Sequence, residues 1–185
     1  MLLILLTPLT VHGGLPEAHP FTGKGIVIIP ASPSSGELVL YELPGIRLVG
    51  TFRQNDLPSL VPFVKVKTTE TALAVMSARE GWLRIALNAA GREAWVELKD
   101  GWNYRPWEHY LAGRTIRLVP GLKESMYRFH ISPTDKGEQS GAATPGFPLR
   151  VKAVNGDWAE VVTAGQAPGW LRWRDGDGWL LVTVE

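Results

Sequence analysis

The feature that most constrains this chain is a tryptophan-containing pattern that occurs twice at a nearly fixed separation. Several residue types recur 76 positions further on, in the pairs Leu73 and Leu149, Val75 and Val151, Trp82 and Trp158, and Pro44-Gly45 and Pro120-Gly121. After Trp158 the separation falls to 75, because Trp95 then corresponds to Trp170. Self-similarity at a fixed period is the sequence signature of a repeated structural unit. We therefore interpret the chain as two copies of one small unit.

The repeated pattern has the character of antiparallel β-structure. Short apolar runs at 71–76, 82–87 and 93–98 are separated by turn-forming residues and predict a three-strand meander. In the last run Ala94 and Val96 should face one way and Trp95 the other, because strand side chains alternate. The 20 glycines and 14 prolines favour many turns and few long helices. The predicted fold class is all-β.

Chain length sets how the two copies must be organised. A unit of about 76 residues is at the low end of independent stability, so the two copies in this 185-residue chain should pack against each other. Eight tryptophans would supply much of the buried surface. We expect a first unit at 25–100 and a second at 101–185. A short helical turn should begin the second unit at 106–113, with Pro106 at its start and Gly113 at its end.

The N-terminus resembles an export signal. The run from Met1 to Leu6 is apolar, and Val11 and Gly13 occupy the −3 and −1 positions of a cleavage site after Gly13. The apolar run is too short to span a bilayer, and no Lys or Arg precedes it. An ordinary buried strand is the alternative. We favour a leader at 1–13, a flexible arm at 14–24 and export to the periplasm or the exterior.

The first copy resembles the bacterial SH3-like (SH3b) domain family. The resemblance rests on the apolar strand at 73–76, Gly81-Trp82, Ile85, a glycine turn and Trp95-Val96, preceded by Leu48-Val49-Gly50-Thr51. The second copy matches through Leu149, Val151, Trp158, Val161 and Gly169-Trp170-Leu171. The resemblance covers roughly residues 37–98 and 113–173 and implies two tandem small antiparallel SH3-like barrels related by internal duplication.

What the resemblance implies about function is binding without catalysis. Members of the family recognise the bacterial cell wall or proteins, often beside an enzyme domain. The expected partner is therefore a cell-wall peptide or glycan, or an envelope protein. No cofactor and no stable membrane insertion are implied.

The sequence offers little catalytic chemistry. It contains no cysteine and no G-x-S-x-G motif. His109 and His130, the two histidines outside the expected leader and arm, are 21 positions apart, which matches no metal-ligand spacing. The Asp175-Gly-Asp-Gly178 stretch begins like a calcium loop but lacks its later ligands, so a hairpin turn is the plainer interpretation. The net charge of +1 excludes an electrostatic nucleic-acid binder.

The remaining candidates for a site are aromatic and basic residues close to where one copy ends and the next begins, or near the end of the second. They are Trp102, Tyr104, Arg105, Trp107, Arg172, Trp173 and Trp179. Two explanations compete: the aromatic rings join the two units, or some stay exposed as a surface for a peptide or glycan. The arginines would then contact an anionic or amide-rich ligand, or simply cover the rings. Trp82, Trp95, Trp158 and Trp170 recur in both copies and are expected in the cores.

We therefore expect a non-catalytic binding module of the bacterial cell envelope that recognises peptidoglycan fragments or a protein partner. The alternative is a structural component that presents a sheet edge, to which a partner chain adds a β-strand.

Overall fold

The protein is almost entirely β-structure, which confirms the predicted fold class. The structure, a computed structural model, describes residues 22–30, 36–88, 90–163 and 167–185. The expected leader at 1–13 and most of the expected arm at 14–24 lie outside the described residues. Within the described ranges, no helix has the length and apolar character needed to cross a bilayer.

The first sheet contains seven antiparallel strands. They are β1 Gly25–Pro30, β2 Glu37–Leu43, β3 Ile46–Arg53, β4 Glu70–Arg79, β5 Trp82–Ala86, β6 Glu93–Glu97 and β7 Asn103–Pro106. Their spatial order is β3-β2-β6-β5-β4-β1-β7. The predicted meander corresponds to β4, β5 and β6. The pairing of β7 with β1 takes the first sheet to Pro106, past the unit boundary expected at residue 100.

The second sheet also contains seven antiparallel strands. They are β8 Thr115–Leu118, β9 Arg128–His130, β10 Gln139–Ala142, β11 Leu149–Asn155, β12 Trp158–Val162, β13 Gly169–Arg172 and β14 Val182–Val184. Their spatial order is β10-β9-β13-β12-β11-β8-β14, the order of the first sheet with seven added to each label. Trp82 and Trp158 begin corresponding strands, as the 76-residue separation indicates.

Helical structure is short. Helix α1 Trp107–Leu111 follows Pro106, where a helical turn was predicted. Two 3-10 turns occupy Gln54–Asp56 and Glu124–Tyr127. The second turn leads into β9. The 132–146 segment contains β10, since its backbone bonds back to residues 127 and 131.

Strands β1 and β4 separate two hydrophobic cores. Val27 and Leu73 face the first core, which is closed by the inward side chains of β2, β5 and β6. The neighbouring residues Ile26, Ala72 and Ala74 face the opposite way and join the core of the second sheet. Because alternate residues of a strand point to opposite faces, two strands can serve both cores. The units therefore share an apolar interface, as their small size predicts.

The second core also recruits a segment that precedes β4. Leu60 and Val64 are fully buried among residues of the second sheet. Residues 63–65, here called the strap, run beside β14: the Lys65 amide donates to the Val184 carbonyl at 2.8 Å, and the Val184 amide to the Phe63 carbonyl at 2.7 Å. The strap forms a single bridge, between Val64 and Val184, because most of the 60–67 segment turns rather than extends.

The chain closes on itself near residue 22. The Thr22 amide donates to the Gly178 carbonyl at 3.0 Å, and the Lys24 amide to the Val75 carbonyl at 2.8 Å. The Arg174 guanidinium donates to the Gly23 carbonyl at 2.7 Å. Residues 22–24 were expected to belong to a flexible arm, but Thr22 is fully buried and tied to the end of the second unit.

A charged cleft on the outer face of the second sheet

The outer face of β9, β12 and β13 brings together side chains that are far apart in sequence. In the strand register, Trp158 is opposite Arg172, and Trp170 is opposite both Glu160 and His130. The residues between them, Phe129, Ala159 and Leu171, point into the core. Strand alternation therefore leaves one polar and aromatic surface above an apolar interior.

Trp158 is the centre of this surface. The His130 ring meets it edge to face, with centroids 5.0 Å apart. The Arg172 guanidinium lies 4.8 Å from the indole centroid on the same tryptophan. This is a cation–π geometry, which favours a guanidinium over a bare ammonium group.

Arg172 is held in place by two carboxylates. Its Nε lies 2.9 Å from Asp135 Oδ1 and its terminal nitrogen 2.5 Å from Asp135 Oδ2, a two-point pairing. Asp157 Oδ2 lies 3.6 Å away, and Asp157 is itself bonded to Arg174 at 2.6 Å. The hydrogen bond from Arg172 holds the pKa of Asp135 below its ordinary value, and the same bond raises the pKa of Arg172.

Beside this pair lies a cleft of about 190 Å³. Asp135 enters it from the loop between β9 and β10, which is closed by a hydrogen bond from the Ile131 amide to the Glu138 carbonyl at 2.9 Å. The cleft is lined by Ser125, Met126, Arg128, His130, Asp135, Gln139, Trp158 and Arg172. It thus offers cations, an anion, an amide and an aromatic floor within one small volume.

The cleft contains a serine, a histidine and an aspartate, but they do not form a catalytic triad. In a triad the aspartate accepts a hydrogen bond from the histidine, which in turn bonds the serine hydroxyl. Here Asp135 is engaged by Arg172, and the buried His130 Nδ1 has no hydrogen-bond partner among the described residues.

The corresponding face of the first sheet has the same framework and a different chemistry. Tyr41 is opposite Trp95 in the register, as His130 is opposite Trp170. Tyr41 also meets Trp82 edge to face with centroids 5.5 Å apart, as His130 meets Trp158. Around this aromatic pair the first sheet exposes aliphatic side chains of β2 and β3, and its arginine on this face, Arg84, lies 5.8 Å from the Trp95 centroid and pairs with Glu93 at 2.8 Å. The two faces share their scaffold and differ in polarity.

Two of the tryptophans predicted as site candidates are buried. Trp107 is 2% exposed and Trp173 is 1% exposed. Their ring centroids lie 5.3 Å apart, and Trp107 follows the first sheet while Trp173 follows β13 of the second. These rings join the units and present no surface to a ligand.

The other predicted candidates are dispersed over the molecule. Trp102 and Tyr104 are half-buried against the first core, and Arg105 is exposed with its Nε bonded to Asn103 at 3.2 Å. Trp179 lines an apolar cavity of about 450 Å³ next to Phe63 and Leu122. Only Arg172 belongs to the charged cleft.

Sequence reasoning missed most of the cleft. His130 was considered in the sequence only for metal-ligand spacing. Trp158 was expected in a core, and its exposed fraction of 7% confirms this, although its ring also borders the cleft. The signal that identifies His130 is its register position opposite Trp170, which matches that of Tyr41 opposite Trp95. That match could not be found from spacing, because the segments before β4 and β11 differ between the two units.

The Asp175-Gly-Asp-Gly178 stretch forms a turn that uses its own carboxylate. Asp175 Oδ1 accepts hydrogen bonds from the Asp177 amide at 3.0 Å and the Trp179 amide at 2.9 Å. Within the part of the chain that the structure describes, no cluster of three or more His, Cys, Asp or Glu residues is arranged to hold a metal ion.

Comparisons with known proteins give distant structural likenesses. No protein-family model matches the sequence, and no curated protein matches it significantly. Among solved structures, the chain is similar to NlpC1 from Trichomonas vaginalis, with 10% identity, a TM-score of 0.36 and coverage of 84% of this chain and 49% of that chain. The chain therefore spans about half the length of NlpC1. It is also similar to the CBD of the endolysin LysPBC5, with 15% identity, a TM-score of 0.27 and coverage of 88% of this chain and 94% of that chain.

Proposed function

We propose that this chain is a non-catalytic binding module of the bacterial cell envelope, and that the cleft beside Trp158 holds a peptide portion of the cell wall. The observation that carries the proposal is the placement of Arg172, stacked on Trp158 and paired with Asp135 at the mouth of the cleft. The sequence resemblance to the SH3b family supports a role in binding.

A peptide fits the charges of the cleft better than a bare glycan does. Arg128 and Arg172 can bind a carboxylate, and Asp135 can bind an amine. Gln139 can both donate to and accept from an amide. Neutral sugar hydroxyls would leave the charges of Arg172 and Asp135 unused, whereas a peptide with free carboxylate and amine groups matches both signs. The exposed part of Trp158, 7% of the residue, would contact the apolar part of such a ligand.

Ser125, His130 and Asp135 are not linked by hydrogen bonds among the described residues, which supports binding without turnover. A ligand in the cleft would meet side chains already held by Trp158 and Asp135, so little ordering would be needed on binding. The ligand carboxylate would compete with Asp135 for Arg172 or share it.

The test is retention on purified peptidoglycan sacculi. Wild-type protein should sediment with sacculi, and Arg172→Gln should lower the bound fraction at least about fivefold, since it removes a charged two-point donor. Arg105→Gln is the matched control, because Arg105 is exposed and outside the cleft. Equal binding of wild type and Arg172→Gln would contradict the proposal.

Two further measurements define the ligand and the absence of catalysis. Sacculi from which an amidase has removed the peptides should lose binding, whereas soluble wall peptides should compete. Retention on the stripped glycan would show that the protein binds the sugar rather than the peptide. Prolonged incubation with intact sacculi should release no new soluble fragments, and release that Ser125→Ala abolishes would establish an enzyme instead.

A further inference from the structure

The two sheets have four edge strands, and three of them are protected. Strand β14 is only three residues long and is covered by the strap. Strand β10 has four residues, Gln139–Ala142, with no large apolar side chain. Strand β7 has four residues and ends in Pro106, which lacks an amide donor. Short length, proline and coverage are the usual ways in which proteins prevent an edge from pairing with another chain.

The fourth edge strand, β3, is not short, contains no proline and has no covering segment among the described residues, although a bulge at Val49 interrupts its pairing with β2. It is eight residues long, Ile46–Arg53, and in the described part of the chain it pairs only with β2. Ile46 is 59% exposed and Leu48 is 64% exposed. A long edge with exposed apolar side chains is a template for an added strand.

The exposed side chains of β3 continue into β2. In the register Ile46 is opposite Leu43, and Leu48 is opposite Tyr41. Leu43 is 54% exposed, and Tyr41 packs against Trp82 behind it. Tyr41, Leu43, Ile46 and Leu48, here called the apolar stripe, therefore lie side by side on one face and reach the edge of the sheet.

The charge of β3 identifies the kind of occupant. The strand carries Arg47 and Arg53 and no acidic residue. Glu42 of β2 pairs with Arg47 at 3.1 Å, and Glu37 of β2 is opposite Arg53 in the register, although the two form no ion pair among the described residues. A second copy of this chain placed edge to edge would bring four arginines to the junction. Like charges at such a junction oppose pairing, so the edge fits a strand that supplies carboxylates.

We propose that β3 accepts an extended segment of another protein as an eighth strand of the first sheet. Main-chain hydrogen bonds to β3 would supply affinity, and alternate apolar side chains of the segment would extend the apolar stripe. An acidic residue of the segment would lie near Arg53. Strand β3 belongs to the first sheet and the charged cleft to the second, so the two sites can be occupied together.

The test selects segments without presupposing a partner. A phage library of random ten-residue peptides is selected on wild-type protein. The enriched peptides should alternate apolar with other residues and include Asp or Glu. Leu48→Lys should weaken their binding at least about tenfold, by removing apolar contact and adding a third cation to β3. Phe147→Lys is the matched control, because Phe147 is 62% exposed and lies outside the stripe. Absence of enrichment, or equal binding to Leu48→Lys, would overturn the proposal.

A second measurement distinguishes strand addition from simple hydrophobic contact. A strand directs alternate amides to each edge, so N-methylation of one alternate set in an enriched peptide should abolish binding, and methylation of the other set should preserve it. Equal effects of the two sets would refute main-chain pairing.

Charge and independence are checked with the same peptides. Arg53→Glu should weaken an acidic peptide, and replacing its acid by lysine should restore binding. Arg172→Gln should leave binding unchanged, which separates this site from the cleft. If ultracentrifugation shows dimers that Leu48→Lys dissociates while no peptide is captured, the edge serves a second copy and the proposal fails.

Discussion

Trp107 and Trp173 pack with ring centroids 5.3 Å apart, although one follows the first sheet and the other follows β13 of the second. Each indole also donates to a backbone carbonyl: Trp107 Nε1 to Thr22 at 2.7 Å and Trp173 Nε1 to Gly156 at 2.9 Å. The hydrogen bonds satisfy the polar end of each ring, so the rings can be buried at little cost.

Trp173→Ala should therefore destabilise the whole protein. The substitution leaves a large cavity between the units and an unpaired Gly156 carbonyl, and we expect a loss of about 3–5 kcal/mol in the free energy of unfolding. Urea denaturation followed by circular dichroism measures it. Phe147→Ala, at a side chain that is 62% exposed, should change the unfolding free energy by less than about 0.5 kcal/mol. A similar effect of both substitutions would argue against a joining role for Trp173.

Leu60→Ala should weaken the second core from a position that precedes β4. Leu60 is fully buried in that core, and we expect a cost of about 2–5 kcal/mol. The exchange rate of the Val184 amide should rise as well, because its acceptor is the Phe63 carbonyl in the strap. The neighbouring Val61→Ala is the control, since Val61 is 45% exposed. If Leu60→Ala leaves Val184 exchange unchanged, the strap does not depend on Leu60.

Gly169→Ala tests the packing below the cleft. A Cβ at residue 169 would lie 2.9 Å from Phe129 Cβ, on the strand that carries His130. Overpacking of this kind costs about 1–3 kcal/mol, and binding to sacculi should fall as β9 shifts. Gly36→Ala is the matched control, because no atom lies within 4 Å of a Cβ placed there. If Gly169→Ala leaves the free energy of unfolding unchanged, β9 can move away from β13 without cost, and the close contact with Phe129 does not constrain the cleft.

The pairing of Asp135 with Arg172 predicts a pH dependence of the loop between β9 and β10. The pKa of Asp135 is lowered from its ordinary value of 3.8 in the folded protein, first by the hydrogen bond from Arg172. The stabilisation is therefore fully present above pH 3.8 and is lost as the pH falls through the lowered folded pKa. NMR titration of the Asp135 carboxyl measures the shift. Arg172→Gln should return this pKa toward the ordinary value, and a pKa that stays low would assign the effect to another group.

The sequence predicted the all-β class and the meanders because those features are local. Alternation in β4 to β6 depends on residues close together in the chain, and the repeat of Trp82 at Trp158 compares two such local patterns. The cleft was missed because it depends on long-range register. Arg172 and Asp135 are 37 positions apart, and the loop that carries Asp135 corresponds in the first unit only to the short Pro44-Gly45 turn between β2 and β3.

The aromatic candidates show the same limit. Trp107 and Trp179 each follow a turn-forming residue, Pro106 and Gly178. The structure buries Trp107 at 2% exposure and places Trp179 at the wall of a cavity. The Trp107 indole donates to the carbonyl of Thr22, 85 positions earlier in the chain. No periodicity in the sequence reports such a distant contact.

The strap makes the two units structurally unequal. Although the two sheets have the same strand order, the linker ahead of β4 contributes Leu57 to the first core and Leu60 and Val64 to the second, and its strap covers the last strand of the second sheet. The two units are consequently not interchangeable. If their order were reversed, or if the second unit were produced alone, that unit would lack Leu60, Val64 and the strap. New binding properties can therefore arise by substitutions on the outer faces of the two sheets, where the apolar stripe and the charged cleft lie, but not by rearranging the two units.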